Sequence, residues 1–73
     1  MTDVSIWVIT ENPVDFPGKF VAREHLVGKG FTRATDTHFV ADSLPEIRAT
    51  LPAGLYRLMR QKGDDPVIVE SWI

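Results

Sequence analysis

Only one segment of this 73-residue chain carries helical periodicity, and it is short. Ser43-Leu44-Pro45-Glu46 has the form of a capping box, in which the Ser hydroxyl accepts from the Glu46 N–H and the carboxylate reaches back to the Ser N–H. Pro45 is tolerated in the first helical turn, where its missing donor costs nothing. Leu44, Ile47 and Leu51 then follow at i, i+3 and i+7, one apolar stripe over two turns, before Pro52 and Gly54 end the helix. A helix of two turns covers one side of a sheet and leaves the other side to something else.

The rest of the chain is cut by glycine and proline into segments of strand character. Val4 to Thr10 is rich in β-branched and aromatic residues and predicts a first strand. Asn12 to Gly18, with Pro13 and Pro17, predicts a rigid loop, and Lys19 to Val27 a second strand. Gly28-Lys29-Gly30 reads as the start of a polar connection through about Asp36, with a third strand over Thr37 to Ala41. Beyond the helix, Leu55 to Gln61 predicts a fourth strand, Lys62 to Pro66 a turn, and Val67 to Ile73 a fifth strand. The expected fold is a single α+β domain over residues 1–73, in the order βββαββ: a mostly antiparallel sheet with one short helix packed on one face.

Strand alternation sorts the side chains between two faces. One set holds Val4, Ile6, Val8, Phe20, Ala22, Leu26, Phe39, Ala41, Val67, Val69 and Ile73, and is expected to meet the helix stripe. The other set holds Trp7, Ile9, Val21, Arg23, His25, His38, Val40, Ile68, Glu70 and Trp72. An uncovered patch that mixes Trp and Arg has the composition of an interface, so Trp7, Ile9, Arg23, His25, His38, Ile68 and Trp72 form the expected interaction face. Two arrangements would remove it: the loops at 11–18 and 28–36 folding over, or Trp7 and Trp72 pairing across neighbouring strands.

Composition narrows the partners. With no cysteine there is no disulfide framework, and a chain of this length buries only about 60% of the surface its unfolded form exposes, so self-association would help it. The leading expectation is a homodimer, through the uncovered face or through edge pairing by Leu55–Gln61 or Val67–Ile73. Ten acids against eight bases give a net charge of −2, which weighs against general affinity for nucleic acid or anionic membrane. Single-stranded nucleic acid is the alternative partner, with Trp7 and Trp72 stacking bases and Arg23, Lys29, Arg33, Arg57 and Arg60 tracking phosphate. No apolar run approaches the ~18 residues of a membrane span, and the first ten residues lack the basic flank of an export leader, so a cytoplasmic protein is expected.

Catalytic signals are weak. His25 and His38 would lie side by side if the hairpin between them centred near residues 31 and 32, but no third ligand stands at a fixed spacing. Gly28-Lys29-Gly30 lacks a following helix to supply phosphate donors, and Asp64-Asp65 suits a turn better than a calcium site. Neither an enzyme nor a cofactor is expected.

Asn12 to Arg23, together with the stretch from Thr37 to Glu70 that includes Asp42-Ser43-Leu44-Pro45-Glu46-Ile47, resembles a group of short bacterial proteins to which no activity is assigned. Ala41 to Ile47 is also similar to the small βββαβ domains of HicB-type antitoxins, where a strand leads into a capped Asp-Ser/Thr-Leu-x-Glu helix. That second resemblance implies an antitoxin-like regulatory module.

Overall fold

A computed structural model describes residues 4–58 and 67–73. Six elements follow the expected order: β1 (Val4–Glu11), β2 (Phe20–Gly28), β3 (Phe31–Ala41), α1 (Leu44–Ala49), β4 (Arg57–Leu58) and β5 (Ile68–Trp72). They form one antiparallel five-stranded sheet in the order β3-β2-β1-β5-β4, with α1 packed against β2 and β3. The edges are therefore β3 and β4. The fifth strand, expected as a pairing edge, is interior. Expectations for Met1 to Asp3 and for Met59 to Pro66, including Arg60 and the Asp64-Asp65 turn, lie outside the described residues.

The helix begins as its sequence dictates. Ser43 is extended, at φ −140°, and its hydroxyl accepts from the Glu46 N–H at 3.3 Å, satisfying one of the donors a helix start leaves open. Its last residues are closed by Thr50, whose N–H donates to the Ile47 carbonyl and whose hydroxyl does the same at 2.6 Å. The helix is shorter than its apolar stripe suggests, and Leu51 packs on the core from just beyond it.

The third strand begins six residues earlier than expected. Gly28 pairs with Phe31, so Lys29-Gly30 is a two-residue hairpin loop, and Gly30 supplies the positive φ of 83° that such a turn demands. Thr32, Arg33, Thr35 and Asp36 read as loop because they are polar. They are polar because β3 is an exposed edge strand, with water on both faces through most of its length. The pairing is broken once, where Glu24 of β2 faces Thr35, Asp36 and Thr37 of β3.

The core lies between sheet and helix: Trp7, Ile9, Ala22 and Ile47 are buried, with Phe20, Ala41, Leu44, Leu51, Leu55, Val69 and Trp72 packed around them. This corrects the expected faces. Phe20, Ala22, Phe39, Ala41 and Val69 belong to the helix side as expected, but in β1 the two sets are exchanged. Trp7 and Ile9 lie under the helix, whereas Val4, Ile6 and Val8 face the opposite way. Trp72, the cross-strand partner of Trp7, and Glu70, the partner of Ile9, go with them. Both alternate sets of β1 are apolar, so its pattern carries no sign, and a one-residue shift exchanges them completely.

Candidate interaction surface

The seven residues expected on one interaction face are divided by the sheet. Trp7 is 5% exposed and Ile9 fully buried, both in the core with the half-buried Trp72. Trp7 and Trp72 are direct partners across β1 and β5, and Trp7 also stacks on Phe39, with ring centroids 5.5 Å apart. Arg23, His25, His38 and Ile68 stand on the opposite, open face, as the register places them. Trp7, Ile9 and Trp72 thus lie on the helix side of the sheet, where they pack in or against the core that holds the helix.

Beneath the helix sits a charge that the expected face assignment put on the wrong side. Glu70 is 5% exposed, and the Arg48 guanidinium binds its carboxylate through both Nε (3.0 Å) and Nη2 (2.6 Å). Trp72 Nε1–H donates to the same carboxylate at 2.5 Å. The hydrogen bonds from Arg48 hold the Glu70 carboxyl below its ordinary range against the opposing effect of burial, and Trp72 and the nearby charge of Arg57 act in the same direction as Arg48. Arg48 is correspondingly raised by Glu70. A bidentate pair of this kind fixes the rotation of the helix on the sheet. The sequence signal was available: a lone acid between Val69 and Trp72 shares the face of Trp72, and a charge there needs a partner.

One end of the open face is roofed by the 12–19 loop. Asn12, in the left-handed region at φ 54°, donates its N–H to the Lys19 carbonyl and accepts from Gly18 N–H at 2.7 Å, closing the loop at its neck. Phe16 is carried over the sheet, 5.7 Å from His38 and beneath the guanidinium of Arg23 at 6.0 Å, while Asp15 pairs with Arg23. Val21 is fully buried on this side. Of the two loops that could have folded over this face, 12–19 places Phe16 and Asp15 against His38 and Arg23 at one end, and the residues of 28–36 are hairpin and strand instead.

The rest of the open face carries the half-buried Ile6 and Val8 among more exposed residues. From the register, Ile6 stands beside His25, and Val8 between Arg23 and Ser71. Leu58 continues the Val8 row, since it pairs with Ser71. Ile73, one step past Trp72, lies beside Ile6 and exchanges backbone bonds with Tyr56 at 2.8 and 2.9 Å. Val4 is 47% exposed, Tyr56 79%, Leu58 42% and Ile73 39%.

His25 and His38 share the open face but not a row: His25 pairs with Ala34 and His38 with Arg23, because the hairpin turns at Lys29-Gly30. The His38 Nδ1–H instead donates to the Asp36 carbonyl at 3.1 Å. Among the described residues no group of three or more His, Asp or Glu is placed to hold a metal ion, and no helix is long and apolar enough to cross a membrane. The fold and this surface define a small α+β domain with one helix-covered and one half-open sheet face. No protein-family model, curated protein or solved structure matches the chain.

Proposed function

We propose that this chain is a non-enzymatic, cytoplasmic interaction module whose partner is a second copy of itself. The observation that supports this most is the mismatch of layers among the described residues: five strands, one six-residue helix on one face, and on the other a loop over one end. Domains bury each apolar face of a sheet against another layer, and among the described residues no second helix lies over Val4, Ile6 and Val8. Sedimentation velocity across a concentration series tests the reading: a mass rising from one to two chains supports it, and a monomer throughout removes it.

Single-stranded nucleic acid binding, and an antitoxin-like regulatory role, are weaker readings. Stacking platforms for bases need exposed rings, whereas Trp7 is buried and the indole N–H of Trp72 is engaged by Glu70. Arg23, one of the proposed phosphate contacts, is paired with Asp15.

A further inference from the structure

We draw no further inference here: the strongest candidate, the half-open sheet face around Val4, Ile6 and Val8, carries nothing because nothing in the structure shows what covers it.

Discussion

Ile47 is the fully buried side chain of α1, and Ile47→Ala measures how firmly the helix is held. Ile47 is fully buried against Trp7, Ile9 and Ala22. The substitution removes three carbons, about 2.4 kcal/mol of transfer free energy at ~0.8 kcal/mol each. The helix cannot simply sink into the gap, because the Ser43 cap fixes its start and the Arg48–Glu70 pair fixes its rotation. A residual cavity of roughly 40 Å³ at ~24 cal/mol per Å³ adds about 1 kcal/mol, for a total near ~3.4 kcal/mol. A chain of this length has only about 4–11 kcal/mol of stability, so the variant loses a third or more of it. The melting temperature should fall by roughly 14–27 °C at ~4–8 °C per kcal/mol. Urea unfolding followed by tryptophan fluorescence reports the change directly, since Trp7 belongs to the same cluster. Val14→Ala, at a residue 99% exposed, is the control. A loss below about 1 kcal/mol, within the ordinary range of minor substitutions, would refute the placement of the core on the Trp7 side of the sheet.

Two further outcomes follow from the same geometry. The folded-state carboxyl of Glu70 is held low, so its contribution is complete above the unfolded value of ~4.3 and is lost as pH falls through the folded one. Thermal melts between neutral pH and about pH 2 should therefore show a steeper acid limb in the wild type than in Glu70→Gln, which is less stable at neutral pH; parallel curves would disprove the linkage. Gly30→Ala meets open space, yet places a Cβ at φ 83°, so it should cost about 1–2 kcal/mol from backbone strain alone, measured by urea midpoint; a neutral result would contradict the hairpin turn.

Much of the fold was legible in the chain because local chemistry and tertiary structure agree: the Ser43 cap, the element order, and the helix-side placement of Phe20, Ala22, Phe39 and Ala41. The failures have physical causes. Val4, Ile6 and Val8 are as apolar as Trp7 and Ile9, so alternation in β1 could not say which set meets the helix. The polar threonines of β3 reflect its position at the edge, a property of the assembled sheet rather than of the segment. Glu70 was misplaced with Trp72 because the facing of β5 depends on its pairing with β1, where the register shifts once. The candidate surface changed accordingly, from a pair of tryptophans to the smaller aliphatic residues behind them.

The mismatch between β2 and β3 sets a rule for how this chain can vary in length. Three residues of β3 stand opposite one of β2, an excess of two, and because two is the period of a strand the odd-numbered side chains stay on the helix side both before and after it. Phe31 and Arg33 therefore share a face with Phe39 and Ala41 across the interruption. Loss of both Asp36 and Thr37 would straighten the ladder and preserve every facing, whereas loss of either alone would turn half of β3 inside out. Related chains should gain or lose residues at this point in pairs.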